Sequence, residues 1–168
     1  MRTLFKNLKQ EQLHTTSSFA HGEVLPVTQV PIKEFSQKKW EDGYGLLLNL
    51  DEDTIYSPVN GEITAISANG NAYRIMSEEG LDIYIHLGVD TEDLDRTYFP
   101  IKCAVGKKVS MGEAIGGIQL KRLYAAHKCP VSYLLFLSGE EVRLREHHSM
   151  VGPDYTDFFW CARTEKLI

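Results

Sequence analysis

One histidine, His86, stands in a segment whose residue pattern is that of a half-buried β-strand. Apolar residues alternate with polar or aromatic ones there, so His86 is predicted to lie on the less apolar face. A neutral imidazole with an exposed ring nitrogen is a nucleophile near pH 7. The residue pattern alone leaves a second interpretation open, a structural histidine that takes part in no reaction. The apolar positions are Leu81, Ile83, Ile85 and Leu87, and the intervening ones are Asp82, Tyr84 and His86.

The residues before this strand predict its partner. Ser77-Glu78-Glu79-Gly80 is a polar connection that ends in glycine, so residues 71–88 are predicted to form an antiparallel hairpin. If these four residues form the loop, Asn71 lies opposite His86, with the two Cβ atoms roughly 4.5–5.5 Å apart and the amide within reach of the imidazole. The same register sets Arg74 beside Ile83 on the apolar face. A one-residue slip would undo both expectations.

Asp90, four residues after His86, supports two interpretations. Its carboxylate could orient the histidine region without touching the reacting atoms, or it could begin a short helical turn at residues 91–94. The remaining histidines that we considered, His21, His127, His147 and His148, are predicted to be surface residues.

Short extended segments separated by Gly, Pro, Asn and Asp predict the fold class. The chain is expected to be all-β, a single antiparallel β-sandwich or barrel-like domain with short helical turns. Residues 1–20 lack sustained periodicity and are predicted to be a flexible tail, with the domain over residues 21–168. The segment from 138 onward is less regular, and its aromatic cluster at 155–161 is predicted to be a terminal strand or helix packed on the core. The helical turns are expected at residues 35–40, 91–94 and 120–126.

Composition narrows the function classes. The chain has 168 residues, 43% of them hydrophobic, which suits one domain with a substantial core. It has no apolar run long enough to span a membrane and no secretion signal, so a soluble cytoplasmic protein is expected. A formal charge of −5 without a basic stripe disfavours nucleic acid and suits a basic protein partner. Cys103, Cys129 and Cys161 have no metal-ligand spacing and are expected to be reduced thiols.

Four motifs occur in an order and spacing that resemble glucose-type enzyme IIA of the bacterial phosphoenolpyruvate-dependent sugar phosphotransferase system. The resemblance extends from residue 22 to about residue 137, and residues 138–168 diverge from it. The motifs are residues 22–48, Ser57-Pro58-Val59-Asn60-Gly61-Glu62-Ile63, Ile85-His86-Leu87-Gly88-Val89-Asp90-Thr91 and residues 106–115.

The resemblance implies an antiparallel β-sandwich and a histidine phosphocarrier. Its donor would be the phosphorylated protein HPr, its acceptor a cysteine of a IIB domain, and its contact with a membrane would be through the transporter alone. His86 matches the family's phosphorylated histidine. Neither a metal nor another cofactor is implied.

Two departures from the family pattern bear on this expectation. Family members carry a second histidine on the strand opposite the acceptor, and this chain has Asn71 there. An amide can donate a hydrogen bond to a phosphoryl group but brings no charge, so phosphoryl acceptance is expected to survive better than onward transfer. The family's Phe-Asp pair after the last glycine-rich strand is Ile118-Gln119 here.

Two other function classes remain as alternatives. One is a degenerate enzyme IIA-like module that binds a transporter or metabolic enzyme and reports phosphorylation state or has lost phosphorylation. Asn71 is the main argument for it. The other is a lysostaphin-type zinc peptidase, a class that has a similar pattern of short β-segments with regularly spaced glycines. Such peptidases need a metal site that includes a His-x-His pair, and this sequence has none.

Overall fold

The computed structural model describes residues 12–37, 43–137, 141–144, 150–153 and 159–163. These residues form thirteen strands, two short α-helices and two 3-10 turns. The first seven strands are β1 Gln12–Thr16, β2 Gly22–Pro26, β3 Gly43–Leu48, β4 Thr54–Tyr56, β5 Gly61–Ile66, β6 Ala72–Ser77 and β7 Asp82–His86. The others are β8 Lys108–Val109, β9 Ala114–Gly117, β10 Ser132–Phe136, β11 Glu141–Leu144, β12 Met150–Val151 and β13 Phe159–Arg163. The helices are α1 Lys33–Gln37 and α2 Leu120–Ala125, and the 3-10 turns are Val27–Gln29 and Arg96–Tyr98.

Eight strands form one antiparallel sheet in the order β12-β2-β3-β10-β7-β6-β5-β8. The strand that carries His86, β7, lies inside this sheet between β6 and β10. A three-stranded sheet, β1-β13-β11, and a two-stranded sheet, β4-β9, complete the described strands. This arrangement confirms the predicted all-β class with short helical elements.

The main core lies between one face of the eight-stranded sheet and the β4-β9 pair. Ile83 and Ile85 of β7 point into it and are fully buried, as are Ile55 of β4 and Ile115 of β9. Because side chains alternate along a strand, Tyr84 and His86 face the opposite side of the sheet. The core therefore fixes which face of β7 can present the histidine.

A second apolar cluster covers part of that opposite face. Its buried members are Val27, Val30, Phe35, Val89, Tyr133 and Leu135. Two of them, Tyr133 and Leu135, belong to β10, whose other residues Leu134 and Phe136 lie in the main core. Since β10 is buried on both faces, its sequence Ser-Tyr-Leu-Leu-Phe does not alternate. The sequence-based strand assignments missed this strand for that reason.

The 71–88 hairpin forms as predicted, but its register differs by one residue. Ala72, and not Asn71, lies opposite His86. The loop is shorter than expected: Ser77 N donates to Leu81 O, which leaves only residues 78–80 between the strands. Gly80 takes a positive φ of 87°, which is the conformation that closes a three-residue hairpin loop. The predicted pairing of Asn71 with His86 was therefore wrong.

The shift also changes the surroundings of Arg74. This residue lies opposite Tyr84, away from the main core, and its guanidinium pairs with Asp82, with 2.8 Å between Nε and Oδ1. The predicted position of Arg74 on the apolar face was wrong, and the exposed face accommodates its charge without a burial cost.

The structure also differs from the predicted flexible tail over residues 1–20. Residues 12–16 form β1, which pairs with β13, and Phe19 is fully buried in the main core. Residues 1–11 lie outside the described part of the chain. The partner strand is close to the other end of the sequence, so no local pattern could reveal the pairing. The same pairing shows that part of the aromatic cluster at 155–161 belongs to a terminal strand.

The predicted helical turns had different outcomes. Helix α2 confirms the turn expected at 120–126. Helix α1 begins two residues before the predicted 35–40 segment, whose last three residues lie outside the described part. Residues 91–94 form a single turn, in which Leu94 N donates to Thr91 O, and no helix.

Replacing Leu134 by alanine tests the role of β10. This fully buried leucine lies in the middle of the sheet, so its truncation leaves a cavity and lowers the free energy of unfolding by about 2–5 kcal/mol. Urea unfolding measures the change. The control is Leu137→Ala just after the strand, where the side chain is 44% exposed and the expected loss is below about 1 kcal/mol. Equal losses for the two variants would contradict a central position for β10.

The Arg74–Asp82 pair predicts a pH dependence of stability. The hydrogen bond from Arg74 holds the pKa of Asp82 below its ordinary value, against the opposing effect of partial burial. The pair therefore stabilises the fold fully above the unfolded pKa of about 3.9, and the stabilisation disappears as the pH falls through the lower folded value. Urea unfolding should show wild type more stable than Asp82→Asn at pH 7, with a smaller difference at pH 3. Glu62→Gln, at an exposed carboxylate on β5, is the control. A wild-type advantage that stayed constant with pH would exclude the ion pair as its cause.

Candidate functional site

His86 ends β7 on the outer face of the sheet, and its ring is held by a neighbouring strand. Tyr133 of β10 lies directly opposite it. The two rings are stacked, with centroids 5.1 Å apart and planes within 5° of parallel. Only 5% of His86 is exposed, so the imidazole has little freedom to rotate. The stacking fixes the plane of the ring, and the hydrogen bonds of its nitrogens fix which edge faces outward.

Both ring nitrogens of His86 face oxygen atoms that accept hydrogen bonds. Nδ1 lies 2.8 Å from the carbonyl oxygen of Gly88, and Nε2 lies 2.8 Å from Oε1 of Glu92. A carbonyl can only accept, so Nδ1 carries a proton. In the neutral imidazole the lone pair is then on Nε2, the nitrogen directed toward the exposed side chain of Glu92. When the ring is neutral and this lone pair is free, the chemistry that the site supports is nucleophilic attack by Nε2.

The loop after β7 positions the Gly88 carbonyl. Gly88 has a φ of 71°, and a Cβ there would lie 2.7 Å from Thr91 Cγ2 and 3.0 Å from the carbonyl oxygen of Cys129. Neighbouring residues accept the hydrogen bonds of the loop's backbone N–H groups. Leu87 N donates to the Asn71 carbonyl at 2.7 Å, and Gly88 N donates to the buried Ser132 hydroxyl at 3.0 Å. Glycine is therefore required at position 88 by both conformation and space.

Asn71 lies beside this loop and holds it, although it does not face His86. Its Oδ1 accepts from the Ser67 hydroxyl at 2.7 Å, and its Nδ2 donates to Thr91 Oγ1 at 3.1 Å. Thr91 in turn donates to the Leu87 carbonyl at 2.7 Å. Asn71 is 2% exposed, so its amide is committed to these partners. Within the described residues it makes no hydrogen bond to the imidazole.

Asp90 is exposed and has a positive φ of 54°, which Asp tolerates better than most residues. Its carbonyl accepts from Lys128 Nζ at 2.7 Å, and the same ammonium lies 2.8 Å from Asp93. The Asp90 carboxylate makes no hydrogen bond with a described residue. Asp90 thus contributes to the shape of the loop through its backbone.

The other candidate residues lie apart from His86. His21 is half-buried beside Glu52, and His127 is exposed after α2, whereas His147 and His148 lie outside the described residues. Cys103 and Cys129 are free thiols. Within the described part of the chain, His, Cys, Asp and Glu form no cluster of three that could hold a metal ion.

The charge around the imidazole comes from Glu92. Burial, and then the nearby Glu92 charge, raises the pKa of Tyr84, and burial raises the pKa of Tyr133 with smaller contributions from Tyr84 and Glu92. Both phenols are therefore neutral near pH 7. Partial desolvation opposes ionisation of Glu92, but hydrogen bonds from its own backbone and from His86 hold its pKa below the ordinary value. A carboxylate is thus the ionised group that contacts the ring.

A shallow groove of about 530 Å³ adjoins the site on the same face. Tyr84 borders both the groove and the imidazole, with its ring centroid 6.1 Å from that of His86. Arg74 contributes the positive charge of the groove. Its lining is otherwise largely apolar and includes Ile66, Ala72, Leu135 and Leu137.

Sequence reasoning missed three residues that touch or position His86: Tyr133, Glu92 and Ser132. The apolar run of β10 was a signal for a strand, but no local pattern shows that it pairs with β7. Glu92 looked like part of an acidic turn, and its approach to Nε2 depends on the two positive φ angles at Gly88 and Asp90.

Removing the Thr91 hydroxyl tests the hydrogen-bond chain behind the loop. Thr91→Val keeps the shape of the side chain but leaves Leu87 O and Asn71 Nδ2 without their partner, so we expect a loss of about 2 kcal/mol in the free energy of unfolding. Thermal and urea unfolding measure it. The matched control is Thr64→Val at an exposed position of β5, where water can replace the hydrogen bond from the hydroxyl to Arg74 O. It should change stability by less than about 0.5 kcal/mol. An equally small effect at Thr91 would show that these hydrogen bonds do not stabilise the loop.

No helix in the described part of the chain is long and apolar enough to cross a membrane. A structural match, at a TM-score of 0.71 and 18% identity, is glucose permease IIA from Mycoplasma capricolum, covering 84% of this chain and 95% of that one. This match supports the fold.

Two sequence comparisons identify the family. The chain is 30% identical over 139 residues to the PTS system glucose-specific EIICBA component of Streptococcus pneumoniae serotype 4. That alignment covers 83% of this chain and 18% of the relative, so the chain spans about a fifth of the relative's length. The model of the phosphoenolpyruvate-dependent sugar phosphotransferase system family EIIA 1 matches residues 14–142. The chain therefore belongs to the EIIA 1 family of the sugar phosphotransferase system.

Proposed function

We propose that this protein is a histidine phosphocarrier for sugar uptake. It accepts a phosphoryl group from HPr on Nε2 of His86 and passes it to a cysteine of a IIB domain. The observation that carries this proposal is the bond between Nδ1 and the Gly88 carbonyl. That bond holds a proton on Nδ1 and leaves the lone pair of the neutral ring on the nitrogen nearer the surface.

The reaction needs positioning more than acid–base chemistry. Nε2 attacks the phosphorus of the donor phosphohistidine in line with the breaking P–N bond, and the bonding electron pair returns to the donor imidazole. The proton stays on Nδ1 throughout and is donated to the Gly88 carbonyl. Transfer to the acceptor cysteine reverses these roles, with the thiolate as the attacking group. Stacking on Tyr133 supports this use of His86 because it holds the ring for both steps.

The apolar residues beside His86 suit a protein partner. Tyr84 and the groove formed with Leu135 and Leu137 offer a surface of limited polarity next to the nucleophile, and Leu137 is 44% exposed. A partner that covers this surface would exclude water from the phosphoryl group during transfer. The same surface would serve the donor and the acceptor in turn.

Asn71 acts in this proposal as a positioning residue. Its amide is bonded to Ser67 and Thr91, and its carbonyl accepts from Leu87, so it fixes the loop that presents His86. It supplies no positive charge to a phosphoryl group. Onward transfer should therefore be slower than acceptance, and this favours a regulatory protein that reports phosphorylation state as the second candidate.

Labelling with purified phosphotransferase components tests the proposal. The protein is incubated with phosphoenolpyruvate, enzyme I and HPr from its own source, and acid-labile phosphate is measured. We expect wild type to be labelled and His86→Gln to remain at background. His21→Gln, which alters a histidine on another part of the surface, should label as wild type does.

Two outcomes would decide between the candidates. Absence of labelling in folded wild type would exclude the phosphocarrier and leave a binding module. Labelling without discharge by the IIB domain would favour the regulatory protein. Asn71→His would then show whether onward transfer occurs when the family's second histidine is introduced.

A further inference from the structure

The contact between Glu92 and His86 has a consequence for reactivity. Oε1 of Glu92 lies 2.8 Å from Nε2, the nitrogen that must attack phosphorus. The Glu92 side chain is 68% exposed, while that of His86 is 7% exposed. An exposed carboxylate thus covers the outward edge of an otherwise enclosed ring.

This geometry requires a proton between Nε2 and Glu92. Nδ1 already donates to the Gly88 carbonyl, and a carboxylate can only accept. The hydrogen bond at Nε2 therefore forms only when a second proton is present, either on the ring or on Glu92. In both cases the lone pair of Nε2 is engaged and cannot attack phosphorus.

No other described side chain provides an opposing charge at the ring. Tyr133 and Tyr84 face His86 from the strands and are neutral. The nearby ammonium of Lys128 is bonded to Asp90 O and Asp93. Asp90 adds a negative charge to the same loop, whereas the charge of Asp93 is paired with Lys128. An incoming phosphoryl group thus meets the Glu92 side chain, hydrogen-bonded to the ring, on the line of approach to Nε2.

We propose that Glu92 slows phosphoryl acceptance at His86 by covering Nε2. With Glu92 in place, the lone pair of Nε2 is engaged by a proton, and the Glu92 side chain occupies the line along which phosphorus must approach. When the exposed side chain turns away, the proton leaves with the carboxylate to water, and the Nε2 lone pair is free. This inference rests on the proposed function for its biological meaning, although the contact itself can be tested without HPr.

A small phosphoryl donor tests directly whether Glu92 slows the reaction of Nε2. Phosphoramidate transfers its phosphoryl group as the new N–P bond forms and the old one breaks, with ammonia leaving after it takes up a proton. Phosphate on His86 is followed by peptide mapping at neutral pH, which separates it from the other histidines. We expect Glu92→Ala to react about 5- to 10-fold faster than wild type, and Glu92→Gln to fall between them.

Asp93→Ala is the matched control. It removes a neighbouring exposed carboxylate, and the same unit of charge, from a residue that pairs with Lys128. It should react within about 2-fold of wild type. In addition, nitrogen-15 NMR of the imidazole should show Nε2 shifted toward the protonated form in wild type relative to Glu92→Ala, a change that a purely structural role would not produce.

The outcomes separate this inference from the proposed function. Three results would contradict the proposed role of Glu92. They are a rate for Glu92→Ala equal to or below that of wild type, an equal increase in rate for Asp93→Ala, and no phosphorylation of His86 in any variant. If phosphoramidate shows the expected order but HPr labels neither wild type nor Glu92→Ala, the phosphocarrier proposal fails and the role of Glu92 stands.

Discussion

The hydrogen bond between Nδ1 of His86 and the carbonyl of Gly88 determines which ring nitrogen is available. It depends on a backbone conformation that Gly88 adopts with a φ of 71° and that crowding by Thr91 and Cys129 denies to larger residues. The loop cannot satisfy its own backbone in this conformation. Asn71, just before β6, and Ser132 of β10 supply the missing partners. Tautomer, loop shape and sheet order are thus parts of one constraint.

The site is enclosed on one side and exposed on the other. Behind the ring lie a stacked tyrosine, a buried asparagine and a fully buried threonine, all fixed by hydrogen bonds or close packing. In front of it lies the exposed side chain of Glu92. This division suits a group-transfer protein, because a fixed nucleophile reduces the entropic cost of alignment while partners exchange on the open side.

Much of the fold could be predicted from local patterns. Strand β7 and helix α2 were predicted within a residue of their observed bounds, because each has a clear periodicity or a bounding turn. Strand β10 escaped detection because both of its faces are buried. The β1–β13 pairing joins distant parts of the chain and leaves no local trace.

The position of His86 on the outer face of β7 was predicted, but the residues that contact it were not, and its role as the nucleophile stays a prediction. His86 was found from strand alternation and from the resemblance. The predicted pairing of Asn71 with His86 was wrong by a single loop residue: a three-residue loop closed by Gly80 moves Asn71 out of register with the histidine. A sequence pattern rarely distinguishes a three-residue from a four-residue loop, and yet that difference decides which side chain faces the imidazole.

The position of β10 between β3 and β7 also governs when the site can form during synthesis. His86 and its loop depend on Ser132 and Tyr133, which leave the ribosome more than 40 residues later. Until then, the edge of β7 has no neighbour on that side, and the backbone groups that β10 will pair remain open to other strands. A nascent chain that ends before residue 132 therefore lacks both the tyrosine that stacks on His86 and the acceptor for Gly88 N. The surroundings of His86 are complete only once β10 is inserted.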